Sequence, residues 1–189
     1  PVISWSSIDY FGRWKALQYI AKHFFNPVLI SGVAKEGEVI VYGSNDLVSE
    51  KSLKYEWTLH SFDGEIIKKG SKEIKLQPNS SKIIDTLDFS DIVSENPELS
   101  TYRKESYRNR TKVFVSLKLL EGDQTLSSNI ITFVPPKYWP LENPEIEYKV
   151  TKEQDKFKIV VSSEKFAAYV ELGLKDSYAQ FSDNFFHLI

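Results

Sequence analysis

The residues with the richest chemistry lie in one basic run and one aromatic pair. Tyr102-Arg103-Lys104-Glu105-Ser106-Tyr107-Arg108-Asn109-Arg110-Thr111-Lys112 interleaves cations with tyrosine rings. Cations of this kind hold phosphates while rings stack on bases. The chain as a whole offsets that charge, with 24 Lys and Arg against 26 Asp and Glu, so the run reads as a solvated loop between strands. Tyr138 and Trp139 are the right residue types for a sugar-stacking platform. Aromatics in a proline-rich connector more often wedge domains together. His23, His60 and His187 fall on separate elements and lack the local spacing of a metal site. The chain has no Cys, which removes disulfides, thiolate metal ligands and Cys nucleophiles together. No Gly-rich phosphate loop and no Ser nucleophile elbow is present. Asn79-Ser80-Ser81 and Asn109-Arg110-Thr111 are glycosylation sequons, which carry glycans only in a secreted or lysosomal eukaryotic protein. No cofactor and no metal is expected.

Composition narrows the partners further. Hydrophobic residues make up 41% and charged residues 26%, an ordinary globular balance. A formal net charge of -2 gives no global attraction to nucleic acid or an anionic membrane. No apolar run approaches the roughly 20 residues that span a bilayer, so a soluble protein is expected. Pro1-Val2-Ile3-Ser4-Trp5 has neither an initiator Met nor the layout of a signal peptide, and reads as the inside of a longer chain.

The elements that position these residues follow from periodicity. Residues 5–10 are polar and aromatic without alternation and read as loop. After Gly12, residues Trp14, Leu17, Ala21, Phe24 and Phe25 fall near one helical face, with Arg13, Lys15, Gln18 and Lys22 on the remainder. This predicts an amphipathic helix over residues 13–25, buried through Trp14, Leu17, Ala21 and Phe24 against the following domain or a second copy. Asn26-Pro27 stops it. From Val28 to Val134 the period becomes two. Leu53, Tyr55, Trp57 and Leu59 alternate with Lys54, Glu56, Thr58 and His60. Val113, Val115, Leu117 and Leu119 alternate with Lys112, Phe114, Ser116 and Lys118. Each pattern predicts a strand with one wet face. Further strands are predicted at 39–42, 65–76, 82–89 and up to 134, separated by turns such as Asp63-Gly64 and Pro78-Asn79-Ser80. About seven short strands without intervening helices point to an immunoglobulin-like antiparallel β-sandwich. Residues 135–144, rich in proline, form a stiff connector. Strand signals resume at 146–150, 157–161 and 168–174, with a further segment near Phe181, and supply only part of a second sandwich.

One resemblance organises these elements. Trp5-Ser6-Ser7-Ile8-Asp9-Tyr10-Phe11-Gly12-Arg13-Trp14-Lys15-Ala16-Leu17 resembles the stretch that closes the catalytic (β/α)8 barrel in family 2 glycoside hydrolases of the β-mannosidase type. Phe24-Phe25-Asn26-Pro27-Val28, Phe133-Val134-Pro135-Pro136-Lys137 and Phe181-Ser182-Asp183-Asn184 resemble later family marks, in the same order. The resemblance implies a mainly β chain in four parts. Residues 1–26 are the last loop and helix of the barrel, and 27–135 an immunoglobulin-like sandwich. Residues 136–144 are the linker and 145–189 an incomplete second sandwich.

It also implies a retaining hydrolase of terminal β-mannose whose two catalytic Glu residues lie upstream, leaving no catalytic residue here. The chain has no Asn-Glu dipeptide of the kind that carries the family acid/base. Its expected role is to brace the parent barrel and shape the cleft. Trp5, Asp9 and Tyr10 are expected near the sugar pocket of the parent, on the barrel face where loops build sites. The expected partners are that barrel, β-mannoside glycans through it, and another copy through the exposed helix and strand edges. Nucleic acid and membrane are not expected. The rival is a free-standing immunoglobulin-like carbohydrate-binding or adhesion module, which has no use for a barrel helix and its tryptophan-bearing loop.

Overall fold

The computed structural model describes residues 5–93 and 109–189. Most of the basic run, residues 102–108, lies outside the described residues. The chain divides into two compact units, Asn26–Pro140 and the pairing of Pro1–Phe25 with Leu141–Ile189.

The Asn26–Pro140 unit is a sandwich of two antiparallel sheets. Its strands are β1 (Val28–Lys35), β2 (Glu38–Asn45), β3 (Lys51–Ser61), β4 (Ile66–Leu76), β5 (Ser80–Asp88), β6 (Val113–Glu121) and β7 (Gln124–Thr132). One sheet has the order β1-β2-β5 and the other β4-β3-β6-β7. A short helix, α2 (Ser90–Val93), follows β5. Alternation builds the core. Ile30, Val39, Val41, Leu53, Tyr55, Leu59, Val115, Leu117 and Leu119 point between the sheets and are almost wholly buried. Burying each such aliphatic side chain stabilises the fold by about 1.5–3 kcal/mol. Gly70 on β4 is dictated by this packing, because a Cβ there would stand 2.8 Å from the Trp57 indole.

The second face of β6 departs from expectation. Phe114 and Ser116 are buried rather than wet, and so is His60 opposite Phe114 on β3. Their cover comes from two residues beyond the strands. The Phe62 ring lies 5.0 Å from Phe114 and 5.7 Å from the Trp139 indole. The connector makes a single 3-10 turn at Pro136–Tyr138, after which Trp139 Nε1 donates to the Val134 carbonyl at 3.2 Å. Period two alone does not register a chain that folds back over its own sheet. Trp139 is therefore held as packing, while Tyr138 is half-exposed beneath the Lys137 ammonium.

The other unit holds the helix α1 (Ala16–Phe24) and the strands β8 (Glu147–Glu153), β9 (Lys156–Ser162), β10 (Ala167–Val170) and β11 (Phe186–Leu188). The strands form two separate hairpin-like pairs, β8-β9 and β10-β11. The last strand lies at residues 186–188 rather than around Phe181, where the chain is irregular.

Helix α1 also differs from expectation. It starts at Ala16 because Arg13 is bound into the preceding turn. Tyr19 is its one buried residue, whereas Leu17 and Phe24 are 49% and 48% exposed. Cover comes from the last segment of the same unit, and that segment engages the Tyr19-Lys22-His23 face at i, i+3 and i+4.

Candidate functional site

The site that the sequence assembles is the seat of α1 on residues 171–185, with the loop that leads into the helix. That loop is tied to itself first. The Asp9 carboxylate accepts from the Phe11 and Arg13 amides at 2.8 and 2.9 Å and from Arg13 Nε at 2.7 Å. The Arg13 amide, ahead of the guanidinium, holds this carboxyl below the usual carboxylate range. Asp9 N and Arg13 O close the other side, and Gly12, in the left-handed region, makes the tight return. Ser7 then anchors the loop to the helix, its carbonyl accepting from Lys15 N and its hydroxyl donating to Gln18 at 2.6 Å.

The helix meets the last segment through aromatic and polar contacts. Tyr19 lies 5.2 Å from Trp14 and 6.1 Å from Phe185, ring to ring. Its hydroxyl accepts from the Phe181 amide at 3.3 Å. The Tyr178 hydroxyl accepts from the Trp14 amide at 3.0 Å. Lys22 Nζ donates to the Ser182 carbonyl, and His23 pairs with Asp183, both at 2.9 Å. The C-terminal segment is itself held by Asn184, which is 5% exposed. Its Oδ1 accepts from Leu172 N at 2.7 Å and its Nδ2 donates to Leu172 O at 2.9 Å, replacing a strand pair with one side chain. Between loop and segment lies a cleft of about 320 Å³. Trp14, Tyr19, Tyr178 and Phe181 supply its apolar wall, and Asp9, Arg13, Lys15 and Glu171 its charges. The arrangement orients and holds a helix.

No group of three His, Asp or Glu residues able to hold a metal occurs among the described residues. His23, His60 and His187 have separate partners. His23 pairs with Asp183, His60 bonds Ser116 at 2.9 Å, and His187 stacks on Phe166 at 5.5 Å. Burial lowers the pKa of His60, with Lys118 adding to the effect, and burial alone lowers that of His187. No helix among the described residues is long and apolar enough to cross a membrane.

Comparison with known proteins decides what this architecture is. The family model of the mannosidase Ig/CBM-like domain matches residues 37–138, and that of an Ig-fold domain matches residues 141–189. The chain belongs to the mannosidase Ig/CBM-like domain family. A β-mannosidase of Bos taurus is 24% identical over 187 residues, which are 97% of this chain and 20% of that protein. A β-mannosidase of Rattus norvegicus is 34% identical over 92 residues, 43% of this chain and 10% of the relative. The crystal structure of the β-D-mannosidase of Dictyoglomus thermophilum superposes with a TM-score of 0.80 at 25% identity, over 100% of this chain and 21% of that one. An exo-chitosanase of Amycolatopsis orientalis shares the fold, with a TM-score of 0.61 at 13% identity over 97% of this chain and 24% of its own. The mannosidase Ig/CBM-like chain thus spans about a fifth of the length of its β-mannosidase relatives. It corresponds to their C-terminal, immunoglobulin-like portion.

Within this family member the three loop residues singled out by sequence separate in kind. Trp5 and Tyr10 are 99% and 95% exposed and are not brought together by any contact between them, while Asp9 is bound to Arg13. Sequence reasoning missed Tyr19 and Tyr178, and named Asn184 only as part of the Phe181–Asn184 family mark without its role. Tyr19 sits between the apolar positions of the helix, so amphipathic counting passes over it. The i, i+3, i+4 spacing of Tyr19, Lys22 and His23 was the available signal.

Proposed function

We propose that this chain braces a longer β-mannosidase-like enzyme by clipping the last helix of its catalytic barrel. The observation that carries this reading is the seat of α1, in which Tyr19, Lys22 and His23 engage residues 181–185. An independent binding module has no need to hold a helix in this way. In the longer enzyme the chemistry is retaining hydrolysis of terminal non-reducing β-D-mannose, using two carboxyl groups about 5–5.5 Å apart that the rest of the chain supplies. The chain itself is non-catalytic. Its partners are that barrel and, through it, β-mannoside glycans. The Asp9-tied loop carries Trp5 and Tyr10 outward, and both rings are free to face the sugar end of the barrel. Taken alone, the chain self-associates through the exposed Leu17 and Phe24 of α1 and through its open strand edges.

The test has two arms. The purified chain should not turn over an aryl β-mannoside, and turnover that tracks the pure chain through successive columns would overturn the reading. In the longer enzyme, Tyr19→Ala should lower the melting temperature of the barrel, followed by its activity after heating. An unchanged barrel melt would remove the bracing role.

A further inference from the structure

The asparagines of this chain fall into two classes. Of those among the described residues, five use their side-chain amides to hold the fold. Asn26 donates to the Leu126 carbonyl, and Asn129 to that of Ile30. Asn45 donates to the carbonyls of Ser49 and Leu76 while accepting from Leu47 N. Asn143 accepts from Glu145 N, and Asn184 brackets Leu172. Asn79 and Asn109 differ. Both are exposed, and neither side-chain amide has a hydrogen-bond partner among the described residues. These two are also the asparagines that open an Asn-x-Ser/Thr triplet without proline. The idle amides and the acceptor triplets coincide.

We propose that Asn79 and Asn109 are acceptors for N-linked glycans when the chain passes through a eukaryotic secretory pathway. Both side chains lie at the surface, where a bulky, solubilising glycan is carried. Asn79 lies in the turn between β4 and β5, with a left-handed backbone (φ 47) that asparagine tolerates. β4 and β5 are the outer strands of their two sheets, and Asn79 lies in the turn between them, outside both ladders. The hydroxyl of the third residue, Ser81, lies at the surface, where it accepts from Ser44 Oγ at 2.8 Å. Asn109 precedes β6 at the opposite end, where its carbonyl caps the turn to Lys112 and its side-chain amide has no partner among the described residues. In the transfer, Asn Nδ2 attacks C1 of a lipid-diphosphate-linked oligosaccharide. The N–C bond forms as the C1–O bond to the diphosphate breaks; the lipid diphosphate leaves with the electron pair and the transferase takes the amide proton.

The experiment is secretion of the full chain from cultured animal cells behind a cleavable signal, with intact mass measured before and after peptide-N-glycosidase. Two glycan masses are expected on the wild-type chain, one of them lost in Ser81→Ala and the other in Asn109→Gln. Release should convert both asparagines to aspartate, read by peptide mapping of the wild-type chain, which holds even where a variant fails to be secreted. A bare polypeptide mass, in a culture that glycosylates a reporter protein, would overturn the proposal. Conversion at Asn79 alone would overturn the assignment of Asn109 and sustain that of Asn79.

Discussion

Strands β6 and β8 both lie in antiparallel ladders and are buried in opposite ways. Val113 through Leu117 of β6 are all buried, while every residue of β8 is exposed. Both have antiparallel ladders over much of their length, but β6 is bonded on both edges, by β3 and β7, and β8 on one, by β9. The layer above separates them further. β6 lies between β3 and β7, faces the β1-β2-β5 sheet on one side and carries Phe62 and Trp139 on the other. The β8-β9 hairpin gathers Tyr148, Val150, Phe157, Ile159 and Val161 on one face by register. Of these, Tyr148 and Phe157 remain 74% and 68% exposed. A hairpin without a second layer is marginal in water. Burial of side chains and the second ladder together set the local stability of β6 above that of the hairpin.

That contrast can be broken by substitution. Leu117→Ala should destabilise the sandwich by about 2–5 kcal/mol, the usual range for a fully buried leucine. Val150→Ala on the hairpin should stay within about 0.5 kcal/mol, as for a surface site. Urea titration of the two variants checks the pair, and equal losses would mean the hairpin is covered in solution. Asn184→Ala should cost the helix-bearing unit about 1–3 kcal/mol by leaving both Leu172 backbone groups unpaired. Amide exchange at Leu172 reports it directly, and unchanged protection would show that the bracket is dispensable.

Two smaller effects sharpen the picture of the sandwich. The Tyr55 hydroxyl is buried without a partner, and its pKa is pushed up by burial first and by Asp85 second. Tyr55→Phe should therefore raise stability by about 1 kcal/mol, since it removes an unpaired buried group. A loss in the same titration would mean that the hydroxyl is satisfied in solution. His60 has its pKa lowered in the folded state, so the unfolded chain takes up the proton first as pH falls. Its contribution is complete above the ordinary histidine pKa of about 6.5 and is lost as pH drops through the lower folded value. Thermal melts from pH 7.5 downward should show that decline, and His60→Gln should flatten part of it.

The sandwich was legible because its strands alternate strictly and its turns carry Asp-Gly and Pro-Asn signals. Leu53, Tyr55, Leu59, Val115 and Leu117 point inward as their spacing requires. Phe114, Ser116 and His60 were not legible, because their cover arrives from Phe62 and Trp139, residues that pattern counting assigns to turn and connector. The helix-bearing unit was less legible for the same reason. Tyr19 is buried by residues about 160 positions away, and its partners Tyr178, Phe181 and Asn184 lie in irregular chain with no period to read. Local propensity gives the helix, whereas tertiary contacts decide which face it buries. Residues 5–10 were readable as a loop, but the loop's extension to residue 15 and the grip of Asp9 on Arg13 needed coordinates.

Hydrogen exchange on the intact chain tests the central claim most directly, because it reads both regions in one sample. Amides of β6 from Val113 to Leu119 should exchange only with global unfolding of the sandwich. Those of β8 and β9 should exchange orders of magnitude faster by local opening, and helix α1 should lie between the two and lose its protection in Asn184→Ala. Equal protection of β6 and the hairpin, in a dilute sample verified as monomeric, would contradict the account.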